Sequence, residues 1–187
     1  PRATSIVAGS SVRVFQVSLS GPGGGVTGIV GELQPNTDFV IALAPSDTSG
    51  RTLAIIPTKP LKQLSSYMVV LTNGITDGAG NDATPDQTYF LAKRTTPLCV
   101  NGVSQEPLLP NATACALEPL RQLTNSQLVA ANAAGVPRER IVLSWVATTQ
   151  SITPVIGAVQ ARTAQSPVAA TAIAPTGLTL AQINPAL

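Results

Sequence analysis

Tyr67-Met68-Val69-Val70-Leu71-Thr72 decides the fold class. The run sets Tyr67, Val69 and Leu71 on one face at a spacing of two, the period of a pleated strand. Upstream, residues 53–56 form a short strand stopped by Pro57. Phe39, Ile41 and Leu43 alternate in another, which Pro45-Ser46-Asp47 ends. Before them lie the turn Gln34-Pro35-Asn36-Thr37-Asp38, a weak strand over Val26–Glu32 and the break Ser20-Gly21-Pro22-Gly23-Gly24-Gly25. Val12–Leu19 opens the series, with Phe15, Val17 and Leu19 on one face after a bulge near Val14. Downstream, residues 88–92 read as a further short strand. Strands of about five residues at regular spacing, with Gly, Pro, Asn and Asp between them, predict an antiparallel β-sandwich.

Beyond residue 110 the period changes. Between residues 115 and 134, Leu117, Leu120, Leu128 and Ala131 form roughly a helical stripe, Gly135 can take a left-handed terminal conformation, and Pro137 prevents continuation. This predicts one helix over about 115–134, inserted before a final strand. That strand carries Ile141, Leu143 and Trp145 on one face and Val142 and Val146 on the other, so it is expected in the middle of a sheet. Trp145 then belongs to the core. After Gln150, Ser151-Ile152-Thr153-Pro154 opens a second short helix with Val155, Ile156 and Val159 on its apolar side. From Ala164 an Ala/Pro/Thr-rich connector follows, with a short strand near residues 177–180. The expected organisation is one sandwich domain over residues 1–150 and a short helix with connector over 151–187.

Composition narrows the function. No histidine occurs, which closes the Ser-His-Asp and Cys-His routes to nucleophilic catalysis and the zinc sites that mix Cys with His. Charged residues make up only 11% of the chain, so Thr, Ser, Asn and Gln must cover the surface, a composition typical of exported proteins. The net charge of +2 is spread over dispersed residues, and no nucleic-acid partner is expected. No stretch approaches the run of about eighteen apolar residues that spans a membrane. The chain starts Pro1-Arg2-Ala3 and ends Ile183-Asn184-Pro185-Ala186-Leu187, from which a longer parent is expected at both ends.

Cys99 and Cys115 are the only cysteines, and their spacing fits no CxxC pattern. They are either two separate buried thiols or one structural disulfide closing a Pro- and Asn-containing loop. The disulfide reading is preferred and would place the chain in an oxidising compartment. Asp77, Asn81 and Asp82, with Asp86 nearby, are candidate calcium ligands. Their spacing departs from an EF-hand and lacks its terminal Glu, and a tight turn in which Asp77 caps backbone N–H groups is the preferred reading. The glycine run at residues 20–25 lacks the Lys-Ser/Thr of a phosphate-binding loop. Tyr67, behind a Pro-Leu turn, is a candidate corner residue bonding nearby backbone. Asn111-Ala112-Thr113 matches a glycosylation acceptor and is taken as incidental. With so few aromatics, a carbohydrate-binding face ranks third among the functions considered. No cofactor is expected.

Two stretches carry a resemblance. Pro60-Leu61-Lys62-Gln63-Leu64-Ser65-Ser66-Tyr67, followed by Gly74-Ile75-Thr76-Asp77-Gly78-Ala79-Gly80-Asn81, resembles the bacterial Ig-like repeats of surface-layer and adhesion proteins. Together with Pro85, Leu117-Glu118-Pro119-Leu120-Arg121, and Ile141-Val142-Leu143-Ser144-Trp145 with Thr148-Thr149-Gln150, the chain over 51–159 resembles the N-terminal domain of bacterial virulence-factor extracellular lipases. This resemblance implies an Ig-like sandwich of about seven strands, secreted or on the bacterial cell surface. It also implies an α/β-hydrolase domain following on the same polypeptide, with lipid or a cell surface as further contacts. No G-x-S-x-G elbow is present, so no catalytic residue carries over. The chain is expected to be a non-catalytic accessory domain of a lipase or esterase. The alternative is a stand-alone or repeated Ig-like adhesion module with no enzymatic parent.

Overall fold

The computed structural model describes residues 1–44 and 46–165. The strand expected near residues 177–180 lies outside the described residues. The chain divides into two units, Pro1–Gln150 and Ser151–Leu187. In the second, α3 (Thr153–Gln165) has Pro154 in its first turn, where a missing N–H costs nothing, and exposes Val155, Ile156 and Val159.

The first unit is mainly β. Its strands are β1 (Val12–Leu19), β2 (Val26–Glu32), β3 (Phe39–Leu43), β4 (Leu53–Pro57), β5 (Ser66–Thr72), β6 (Cys99–Val100), β7 (Val103–Ser104) and β8 (Ile141–Thr148). Helices α1 (Gln87–Ala92) and α2 (Asn111–Ala133) lie between β5 and β8. Four strands form one antiparallel sheet in the order β2-β1-β5-β8, while β3 pairs with β4 and β6 with β7.

The inner strands β1 and β5 are apolar on both faces, so both faces need a cover. On one, Phe15, Val17, Met68 and Val70 pack with Ile141, with Tyr89 of α1 and with Leu128 and Ala131 of α2. On the other, Val12, Val14 and Val69 pack with Phe39 and with Ile41, Leu53 and Ile55 of the β3–β4 hairpin. The result is an Ig-like β-sandwich with a helical layer on its second face.

Several sequence-based expectations are corrected. Residues 88–92 are helical: the Asp86 carboxylate accepts a hydrogen bond from Tyr89 N at 2.7 Å, capping α1, and Tyr89 and Ala92 bury the same side of the turn. α2 starts at Asn111, a turn earlier than the apolar stripe suggested. The loop between the cysteines contains the β6–β7 hairpin. Its Asn101-Gly102 turn has φ of 50° and 80°, as a two-residue hairpin of matching twist requires. The register shifts of β1 fall between Gln16 and Val17 and between Ser18 and Leu19, not at Val14. Finally, β8 is an edge strand, and Trp145 and Leu143 on it are 38% and 39% exposed. They lie on the hairpin side, past the cover that the two-stranded β3–β4 layer gives β1 and β5.

Leu128 is fully buried beneath α2, whereas its neighbour Val129 is exposed. In urea titrations, Leu128→Ala is expected to lose about 2–5 kcal/mol of stability. Val129→Ala is expected to stay within about 0.5 kcal/mol of the parent chain.

Candidate interaction surface

β8 and the two helices of the first unit enclose a groove of about 390 Å³, lined among others by Tyr89, Leu120, Gln127, Leu143, Trp145 and Val146. Its floor is a polar chain. The Tyr89 hydroxyl lies 2.6 Å from Ser144 Oγ, which donates to Gln127 Oε1 at 2.7 Å. Burial pushes the Tyr89 phenol above its ordinary pKa, with the Ser144 hydrogen bond opposing. Neither partner of Ser144 is a base near neutral pH, so the hydroxyl has no activated route to a nucleophile. The one carboxylate on its wall, Asp86, caps α1 through Tyr89 N and makes no hydrogen bond to Ser144.

The walls are held by α2. Glu118 Oε2 accepts from Leu98 N at 2.7 Å, and the Arg121 guanidinium grips both Glu118 oxygens at 2.9 and 2.7 Å. Arg121 Nη1 also donates to Arg94 O and Thr95 O, and Asn125 Nδ2 donates to Ala92 O and Arg94 O. Arg138 reaches Lys93 O and Asn125 Oδ1. Ala92 O at the end of α1 and the carbonyls of Lys93, Arg94 and Thr95 just past it are thus taken up by side chains from α2 and the turn after it. Lys93 donates to Ile141 O, and burial, reinforced by nearby Arg138, pushes its ammonium below the ordinary lysine pKa.

Cys99 and Cys115 form a disulfide, with Cα atoms 4.8 Å apart, tying β6 to the first turns of α2. Asp77 and Asn81 do come together. Asp77 Oδ1 accepts from Ala79 N at 2.8 Å and Asn81 N at 2.9 Å, and Oδ2 accepts from Asn81 Nδ2 at 2.8 Å. These bonds, Asn81 first, hold the Asp77 carboxyl below the ordinary carboxylate range. Asp82 is exposed and bridges its backbone to Thr76, so the loop's own donors occupy Asp77. No group of three or more His, Cys, Asp or Glu side chains is placed to hold a metal among the described residues. Tyr67 is a corner residue: its hydroxyl accepts from Lys62 N at 3.0 Å.

Sequence reasoning missed Glu118, Arg121, Asn125, Tyr89 and Ser144. The i,i+3 spacing of Glu118 and Arg121 was readable as an ion pair. Their backbone partners, the Leu98 N–H for Glu118 and the Arg94 and Thr95 carbonyls for Arg121, lie 20 to 27 residues away and carried no local signal.

Residues 21–92 match the family model of the bacterial Ig-like domain. No curated protein and no solved structure gives a significant match to the chain. The match supports a bacterial Ig-like domain, a non-catalytic type of module. No helix among the described residues is long and apolar enough to cross a membrane.

Arg121 draws the Glu118 carboxyl down from 4.5 to about 2. The folded value lies below the unfolded one, so the pair stabilises fully above about pH 4.5 and its contribution fades as pH falls toward 2. Glu118→Gln is therefore expected to lower Tm at pH 7 and to flatten its fall between these pH values, as read by calorimetry. Replacing both cysteines by Ser is expected to cost roughly 3 kcal/mol, measured by denaturation against the oxidised parent.

Proposed function

We propose that this chain is the non-catalytic accessory domain of an exported bacterial lipase or esterase, supporting or presenting an α/β-hydrolase domain on the same polypeptide. The observation that carries this reading is a combination: Ig-like motifs at residues 60–81, the Leu117-Glu118-Pro119-Leu120-Arg121 helix, and the Trp145-x-x-Thr148-Thr149-Gln150 ending. These resemble the lipase-associated domain more narrowly than Ig-like repeats in general. The missing histidine and a groove hydroxyl bonded only to Tyr89 and Gln127 support an accessory role. The disulfide and the low-charge surface support an extracellular or cell-surface location.

A second reading, an adhesion or surface module with no enzymatic parent, is favoured by the family match itself, which covers only the Ig-like residues 21–92. Reading the parent gene beyond Leu187 separates the two. A hydrolase domain with G-x-S-x-G is the expected result. Tandem copies of the 67–81 pattern would replace the lipase reading with the adhesion one. The purified chain is expected to turn over no p-nitrophenyl ester above a heat-killed control.

A further inference from the structure

β8 is an outer strand composed like an inner one. Its residues, Ile-Val-Leu-Ser-Trp-Val-Ala-Thr, include no charge and no proline, the devices that keep edge strands from pairing. Hydrogen bonds at the strand ends fix which backbone groups are open. Thr149 N donates to Ser65 O, and on the opposite side of β5 Thr72 N donates to Ser11 O, both at 2.9 Å. Backbone direction alternates along an antiparallel ladder. Leu143, Trp145 and Ala147 therefore turn their N–H and C=O groups toward Leu71, Val69 and Tyr67 of β5. Ser144, Val146 and Thr148 turn theirs outward, as does the Val142 carbonyl, and no strand pairs with them among the described residues; the register shift between Leu71 and Thr72 turns the Val142 N–H toward β5. Lys93 closes the edge only at Ile141 O. Beside this open backbone stand the exposed side chains of Leu143 and Trp145.

We infer that the occupant of this edge is a second copy of the same chain, joined β8 to β8 about a two-fold axis at Trp145. The open run, residues 142–148, has Trp145 at its midpoint. Full-length antiparallel self-pairing then sets Trp145 against Trp145, Ser144 against Val146, Leu143 against Ala147 and Val142 against Thr148. Each pair joins residues of the same parity, so outward-turned groups meet outward-turned groups, with one bond in place of two at Val142–Thr148. Leu143, Trp145 and Ala147 of both copies share one face. The two Trp145 residues form a non-hydrogen-bonded pair, where side chains approach most closely and aromatic pairs are favourable. Charge fits the same register. Arg140, the nearest ionised residue along the chain, falls opposite Gln150, and no like charges oppose one another within the strand register. The product is one sheet continuous through two copies, with the self-complementary contact that two-fold assembly requires.

The 187-residue chain holds a single tryptophan, so its fluorescence reports on the axis directly. Sedimentation equilibrium is expected to show a dimer with half-association at or below about 100 µM, accompanied by a blue shift of Trp emission. Trp145→Lys and Trp145→Glu are each expected to weaken self-association at least about tenfold. An equimolar mixture of the two is expected to recover it, a result that misfolded variants could not give. Under mild oxidation, Trp145→Cys is expected to form a covalent dimer, whereas Thr48→Cys, on the exposed β3–β4 turn, is not. A chain monomeric up to about 1 mM, a dimer indifferent to both charged variants, or cross-linking at position 145 no greater than at position 48 would each overturn the inference.

Discussion

The sheet's two inner strands carry apolar side chains on both faces, and the rest of the first unit follows from the need to cover them. β1 offers Val12 and Val14 to one side and Phe15 and Val17 to the other, and β5 divides Val69 from Met68 and Val70 in the same way. A second β-layer answers one face. α2 answers the other, laying Leu128 and Ala131 across the sheet. The two covers lie on opposite faces, so the chain must travel from one side to the other after β5, and α1 follows that crossing.

Polar contacts then fix where the helical cover rests. At one end, Arg13 holds Glu32 through two hydrogen bonds of 2.7 and 2.6 Å and donates to Ala134 O at the end of α2. At the other, Glu118 and Arg121 hold the segment between α1 and β6. Hydrophobic burial sets the layers but is indifferent to small slides along the sheet. These charge-assisted bonds have direction and remove that freedom. Pro119 sits inside α2 and leaves Cys115 O without its usual helical donor, yet the helix runs on to Ala133 because its buried face and the side-chain bonds on both flanks outweigh one missing bond.

Strands with regular alternation were legible, since burial on a sheet face writes itself into sequence at period two. The edges of that legibility are instructive. Residues 88–92 contain Thr88, Tyr89 and Phe90, which favour strands, and only Asp86 three residues before Tyr89 signalled a capped turn. β8 read as central because its two-sided apolar pattern reports what the side chains prefer, not which strand lies alongside. Trp145 was assigned to the core for the same reason. The disulfide was readable because only two cysteines exist. The groove was not, because it depends on Ser144 meeting Tyr89 and Gln127 across 55 and 17 residues of sequence.

The stretch that resembles the bacterial Ig-like family ends at Ala92, the last residue of α1, and begins after β1. β5 lies inside it, but both strands that flank β5 in the sheet, β1 and β8, lie outside. Recombination at those limits would transplant a central ribbon stripped of every ladder partner, with Met68 and Val70 bared to water. The heritable piece is accordingly larger than the recognisable one: β1, α2 and β8 must travel with the Ig-like segment for its sheet to keep its ladder and cover.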